Sequence, residues 1–194
     1  GKDFDMSLWD ITSGKLLYTL KEKSGFFPFA AFSPDGKTLV SYLNSAINLW
    51  EAETGNLRRS IKSLSAQTKM IALTPDGKSI VSAEKHGRVC VITPNGKKTV
   101  RPLTDKAGQL NAIAVSPDGR KLVTGARNID RTLNVWDMSR SNAKPLFSYP
   151  RFSADSVGFS ADGKTFIAVD NHEIQKLDAE TGESKGYIIK EDAS

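Results

Sequence analysis

Ser116-Pro117-Asp118-Gly119, followed after Arg120 by Lys121-Leu122-Val123-Thr124, reads as a tight turn leading into an apolar strand. Proline fixes φ, the aspartate side chain bonds its own backbone, and glycine accepts positive φ. The turn recurs as Ser33-Pro34-Asp35-Gly36, Thr74-Pro75-Asp76-Gly77 and Ser160-Ala161-Asp162-Gly163, in steps of 41, 42 and 44 residues along the chain. A second series keeps the same beat. Leu8-Trp9-Asp10, Leu49-Trp50-Glu51, Val91-Ile92-Thr93, Val135-Trp136-Asp137 and Lys176-Leu177-Asp178 are centred 41, 42, 44 and 41 residues apart. Two series in phase over nearly the whole chain establish an internal repeat.

Each repeat reads as four short strands. An apolar run precedes the turn, as in Phe29-Ala30-Ala31-Phe32, Met70-Ile71-Ala72-Leu73 and Ala112-Ile113-Ala114-Val115. Its continuity predicts a strand buried on both faces. A second strand follows the turn, such as Thr38-Leu39-Val40-Ser41, and a third carries the tryptophan series, as in Ile47-Asn48-Leu49-Trp50. A polar turn such as Glu53-Thr54-Gly55 then leads to a fourth, more polar strand, Asn56-Leu57-Arg58-Arg59-Ser60-Ile61. Regular short strands with a turn signal at every junction predict an all-β chain. Four antiparallel strands in about 40–45 residues predict β-propeller blades.

The Leu-Trp-Asp and Val-Trp-Asp strand ends and the Ser-Pro-Asp-Gly turns resemble the WD-repeat family over residues 4–190. The spelling Pro34-Asp35-Gly36-Lys37-Thr38-Leu39-Val40-Ser41 is similar to the bacterial branch. The resemblance implies a propeller in which Trp9, Trp50 and Trp136, with the turn aspartates Asp35, Asp76, Asp118 and Asp162, are structural. The Gly-His pair that the family carries before the first strand is absent from every unit. In the family that His joins a buried hydrogen-bond set with a Ser or Thr, the Trp and a turn Asp. Here Ser41 with Trp50, and Thr124 with Trp136 and Asp130, form partial versions of the set. Looser blades with less standardised tops are expected.

In inner-to-outer order, complete four-strand blades run over 26–62, 67–104, 109–149 and 152–190. Residues 4–20 supply only a third and a fourth strand, so the chain reads as a partial propeller of about four and a half blades over 1–194. The first two strands of the half blade would lie before Gly1. Closed rings in the family usually have seven blades, and an open arc leaves apolar faces and an unpaired edge that invites association. Three resolutions follow: a fragment of a longer propeller or multidomain protein, completion by another chain or second copy, or a small closed ring.

The chemistry-bearing residue types are sparse. The 194 residues carry 39% hydrophobic and 25% charged side chains and a net charge of +5, an ordinary globular balance without the concentrated charge of a nucleic-acid binder. No apolar run is long enough to cross a bilayer as a helix. The single cysteine, Cys90, sits in the apolar run Val89-Cys90-Val91-Ile92 and is expected to pack. Without a disulfide framework the chain leans towards a reducing, cytoplasmic compartment. His86 and His172 fall in turns of nonadjacent units, and His172-Glu173 lacks the second histidine of a zinc motif. No nucleophile elbow, phosphate loop or dinucleotide fingerprint appears. Neither catalysis, a metal nor a cofactor is expected.

A protein-interaction scaffold is therefore the leading expectation. Variable loops on a rigid frame are where binding concentrates. Basic residues gather in the loops of the middle two units, where Lys85, Arg88, Arg127 and Arg131 suit an acidic or phosphorylated protein segment. Phe26 and Phe27, beside Pro28 and Phe29, are either an exposed aromatic hot spot or packing beneath the neighbouring blade, since Phe29 and Phe32 can serve the core. The other classes are a surface or periplasmic propeller binding a small ligand or cell-wall component, and a propeller hydrolase, for which Asn111 alone lies near an inner strand start.

Overall fold

The computed structural model describes residues 5–21, 29–33, 35–43, 46–62, 70–83, 87–93, 97–103, 109–127, 131–140, 144–150, 152–170 and 173–190. Among these there are 18 strands and no α-helix. A two-stranded sheet pairs β1 (Met6–Trp9) with β2 (Leu16–Leu20). The first four-stranded sheet holds β3 (Phe29–Phe32), β4 (Thr38–Leu43), β5 (Ala46–Glu51) and β6 (Leu57–Lys62). The second holds β7 (Met70–Leu73), β8 (Ile80–Ala83), β9 (Arg88–Ile92) and β10 (Lys98–Pro102). The third holds β11 (Gln109–Val115), β12 (Lys121–Arg127), β13 (Thr132–Asp137) and β14 (Phe147–Pro150). The fourth holds β15 (Ser156–Phe159), β16 (Thr165–Val169), β17 (Glu173–Asp178) and β18 (Ser184–Lys190). Every sheet is antiparallel, with strands side by side in chain order.

The chain divides into two compact units, Gly1–Gln67 and Thr68–Ser194. The first contains the two-stranded sheet and the first sheet. The second contains the other three.

The Asp-Gly turns are built alike in all four sheets. Gly36, Gly77, Gly119 and Gly163 have φ of 68, 64, 72 and 68°, a region that a side chain disfavours. Each aspartate accepts a hydroxyl from two residues upstream: Ser33 to Asp35 at 2.6 Å, Thr74 to Asp76 at 2.5 Å, Ser116 to Asp118 at 2.6 Å and Ser160 to Asp162 at 2.7 Å. The same Oδ1 accepts a backbone N–H two residues downstream, from Lys37, Lys78, Arg120 or Lys164, always at 3.0 Å. The hydroxyl then accepts the first N–H of the second strand, as Ser116 does from Lys121 at 2.8 Å. In the second unit, consecutive turns touch: a Cβ on Gly163 would come within 3.2 Å of Pro117.

These bonds act on the ionised carboxylates. The hydroxyl donors first, and then the backbone N–H groups, hold Asp35, Asp76, Asp118 and Asp162 below the usual carboxylate range. In the turns after the third strand, Thr181 and Glu180 N–H groups pull Asp178 to about 2, and Ser139 lowers Asp137. The folded chain thus holds these protons more weakly than the unfolded chain does. Stability is complete above the unfolded carboxylate pKa of about 3.9 and declines as pH falls from there towards the lowered folded values. The urea midpoint should be level from about pH 7 to 5 and drop steadily below about pH 4. A midpoint that stays flat down to pH 3 would contradict this account.

The tryptophan series occupies one register position throughout. Trp50 lies opposite Leu39, Ile92 opposite Ile80, Trp136 opposite Leu122 and Leu177 opposite Phe166. Two residues on, the second strand carries a matching group. Ser41 Oγ accepts Trp50 Nε1–H and Thr124 Oγ1 accepts Trp136 Nε1–H, each at 2.8 Å in a buried site. Where isoleucine replaces tryptophan, the Ser82 hydroxyl turns to the Cys90 carbonyl at 3.4 Å. Where leucine replaces it, the matching place on the second strand is Ala168, which has no hydroxyl. The buried indole N–H of Trp50 and of Trp136 is therefore matched within its own sheet.

Two expectations need correction. Not every innermost strand is buried on both faces: Ala30 and Phe32 are exposed and Met70 and Ala72 half-buried, whereas β11 buries Ala112 and Ile113 on its two faces. These strands pair on one side only, whereas each second strand lies between two others. Ile80–Ala83 and residues 122–126 are accordingly fully buried. Trp9, expected to be structural like Trp50 and Trp136, is 56% exposed against their 8% and 4%. Among the described residues no second strand lies beside β1 to cover it.

In the second unit, β11 lies beside both β7 and β15. One core joins Val81, Val89, Leu122 and Trp136 from the second and third sheets, and another joins Val123, Leu133, Phe166 and Leu177 from the third and fourth. Cys90 is buried within β9.

Candidate functional site

The first unit carries a cleft between its two sheets. Strand β1 alternates half-buried Met6 and Leu8 with exposed Ser7 and Trp9. The half-buried pair and Tyr18 and Leu20 of β2 turn towards the first sheet, where Leu20, Leu39 and Trp50 form a core against Met6 and Tyr18. Tyr18 fastens the two sheets: its hydroxyl donates to the Ala52 carbonyl at 2.7 Å, and its ring fills the space a Cβ on Gly55 would need, at 2.8 Å. Burial pushes the Tyr18 hydroxyl upward, so it remains a donor at neutral pH.

Beyond this fastening the sheets part. A cleft of about 630 Å³ is lined by Trp9, Ile11, Leu17, Phe32, Lys37, Glu51 and Arg58. A second hollow of about 220 Å³ continues along β1 between Met6, Leu8, Ala30 and Leu39. Ile11 is 99% exposed and Phe32 48%, and Leu16, Leu17 and Leu57 are about half exposed. At the rim, Glu51 accepts from Thr54 at 2.7 Å and from Arg58 at 2.5 Å, and these two hold it below the usual carboxylate range. The result is a largely apolar surface with Glu51 and Arg58 paired at its rim. A concentration of exposed large apolar side chains of this kind suits a polypeptide partner better than a small polar substrate. Among the described residues, no group of three His, Cys, Asp or Glu side chains could hold a metal ion.

Residues 97–137 match the family described as WD domain, G-beta repeat. That span covers the fourth strand of the second sheet and the first three of the third, so the sequence repeat is offset by one strand from the sheet. A chain in the crystal structure of the mitotic checkpoint complex superposes with a TM-score of 0.77 at 15% identity, over 96% of this chain and 60% of that one. The sheets of this chain are β-propeller blades, and residues 97–137 among them match the WD repeat. It spans about 60% of the length of the chain it matches. No curated protein sequence matches it.

The propeller frame sorts the residues expected to bind partners. Arg88 opens β9 and is exposed, and Arg131 stands just before β13 and is exposed. They mark the second-to-third-strand junctions of consecutive blades, one register position apart. Arg131 has φ of 24°, the one positive value at a non-glycine among the described residues. Arg127 ends β12, with its Cα facing Gln109. Lys85, Phe26 and Phe27 lie outside the described residues, as do His86, His172 and Asp130. The half-blade cleft was legible only as a missing pair of strands; its lining was not, because it joins residues from β1 to β6.

Proposed function

We propose that the chain is a non-catalytic protein-interaction scaffold whose partner surface is the cleft between the half blade and the first complete WD blade. The observation that carries this reading is the cluster of exposed Trp9, Ile11, Leu17 and Phe32 around one 630 Å³ cleft. Aromatic and aliphatic anchors around a concave site are the usual source of interface energy.

A second surface has its own support. Arg88 and Arg131 present cations at the second-to-third-strand junctions of consecutive blades, and the positive φ of Arg131 is a strained conformation of the kind that gathers at binding sites. This surface suits an acidic or phosphorylated segment.

Two double variants separate the surfaces. Proteins captured by the wild-type chain are identified, purified and rebound to Ile11→Glu/Leu17→Glu and to Arg88→Glu/Arg131→Glu. The cleft variant should weaken at least one reconstituted complex by about 100-fold, the effect of losing hot-spot contacts of about 2–3 kcal/mol. Loss confined to the arginine variant would move the partner site to the loops. Equal binding by both variants would sink the scaffold reading.

A further inference from the structure

The three sheets of the second unit are joined unequally. We infer that the junction between the second and third sheets is a seam: the second sheet separates along it while the third and fourth stay together. Four ties cross from the third sheet to the fourth. At the inner turns, a Cβ on Gly163 would come within 3.2 Å of Pro117. Within β12, Gly125 lies against the neighbouring backbone, where a Cβ would meet the Ala154 carbonyl oxygen at 2.8 Å. At the start of β12, Lys121 Nζ donates to the Ala179 carbonyl at 2.7 Å and to Glu180 at 2.5 Å. At the outer strand, Tyr149 donates to the Gly182 carbonyl, and the Phe147 ring fills the space a Cβ on that glycine would need.

At the junction between the second and third sheets, different residues hold all four places. Pro75 and Gly119 stand farther apart, at 3.9 Å by the same measure. Ala83 takes the place of Gly125 and Leu110 that of Ala154, and both are buried in one core, so side chains stand where backbones touch in the other junction. Ser79 takes the place of Lys121, and its side chain lacks the length to reach the turn at Met138 and Ser139. Thr99 lies opposite Val91 as Phe147 lies opposite Val135; it is exposed and brings no ring. Each junction has an apolar core, Val81, Val89, Leu122 and Trp136 in one and Val123, Leu133, Phe166 and Leu177 in the other. The polar and backbone ties therefore decide which opens first, and sheets with fewer ties open at lower cost. Arg88 rides on the second sheet and Arg131 on the third, so opening alters the distance between these exposed cations.

Native-state thiol labelling of the full chain, without denaturant, is the test. The single cysteine, Cys90, is first replaced by alanine. Ala83→Cys then sets a thiol in the core of the seam, and Ala168→Cys sets one in the core between the third and fourth sheets. Both alanines are at most 1% exposed, so each thiol reacts only when its junction opens. Ala83→Cys should label at least about 10-fold faster than Ala168→Cys, the factor expected for one charge-assisted hydrogen bond. Equal rates, or faster labelling of Ala168→Cys, would overturn the proposal. Two further variants exchange the ties. Lys121→Ala should speed labelling of Ala168→Cys by about 10-fold and leave Ala83→Cys unchanged. Ser79→Lys/Ser139→Glu copies the Lys121–Glu180 pair onto the seam and should slow Ala83→Cys by a similar factor. A folded graft that leaves the Ala83→Cys rate unaltered overturns the proposal. If the graft does not fold, Lys121→Ala decides: an unaltered Ala168→Cys rate overturns it equally.

Discussion

Trp136→Ala should destabilise the three-sheet unit by about 3–5 kcal/mol, whereas Trp9→Ala should change stability by less than about 0.5 kcal/mol. The two residues share a sequence position and differ in surroundings. Trp136 is 4% exposed, packs with Val81, Val89 and Leu122 across two sheets, and donates its indole N–H to Thr124. Removing it opens a cavity and leaves the fully buried Thr124 hydroxyl without that donor. Trp9 is more than half exposed, and truncation takes away surface that water already covers. Thr124→Val tests the hydrogen bond by itself: it keeps the volume and strands the indole N–H, at a cost of about 1–3 kcal/mol. Urea unfolding followed by far-ultraviolet circular dichroism reads all three. Equal losses at Trp9 and Trp136 would mean that the half blade is covered in solution.

Gly125→Ala should cost about 3 kcal/mol, and Gly158→Ala should be neutral or stabilising by about 0.5 kcal/mol. A Cβ at Gly125 would lie 2.6 Å from the Ala154 Cβ, 2.8 Å from the Ala154 carbonyl oxygen and 3.2 Å from the Ala112 Cβ. Two of those three atoms sit on the neighbouring blade, and one is backbone. No rotamer change can relieve the clash; the third and fourth sheets must separate. Gly158 lies in the middle of β15, and a Cβ there meets nothing within 4 Å. Alanine at that site reduces the freedom of the unfolded chain and disturbs no contact. The pair of variants, compared by urea midpoint, uses the same substitution in the same unit with opposite signs. A mild loss at Gly125 would mean that the blades are not in backbone contact there.

The turns and the strand order were legible because their causes are local. Ser116, Pro117, Asp118 and Gly119 carry their own dihedral preferences and bond to one another within five residues. The tryptophan–hydroxyl pairs were legible for a related reason: Ser41 and Trp50 lie nine residues apart in adjoining strands, so the hairpin sets their register. The fastening between blades was not. Tyr18 reaches Ala52 across 34 residues, and Tyr149 donates to the Gly182 carbonyl across 33, while Phe147 covers the same glycine. In sequence these are unremarked aromatics on polar fourth strands. The candidate site was half legible: counting strands shows that the half blade has an open edge, but not that Ile11, Leu17 and Phe32 surround a cleft there.

Sequence alone determined that Ser116-Pro117-Asp118-Gly119 and its copies are turns, that each repeat makes four strands, and that the tryptophan-series residues end the third. Those follow from dihedral preference and from a period of two along a strand, which need no distant neighbour. Tertiary structure decided which tryptophan is core and which is surface, and which glycine is a turn and which is a contact between blades. The same Trp-Asp spelling gives a buried Trp136 or an exposed Trp9, because burial depends on the strand beside it and the sheet beyond it. Solvent exclusion is a property of the packed blades, and no single repeat contains it.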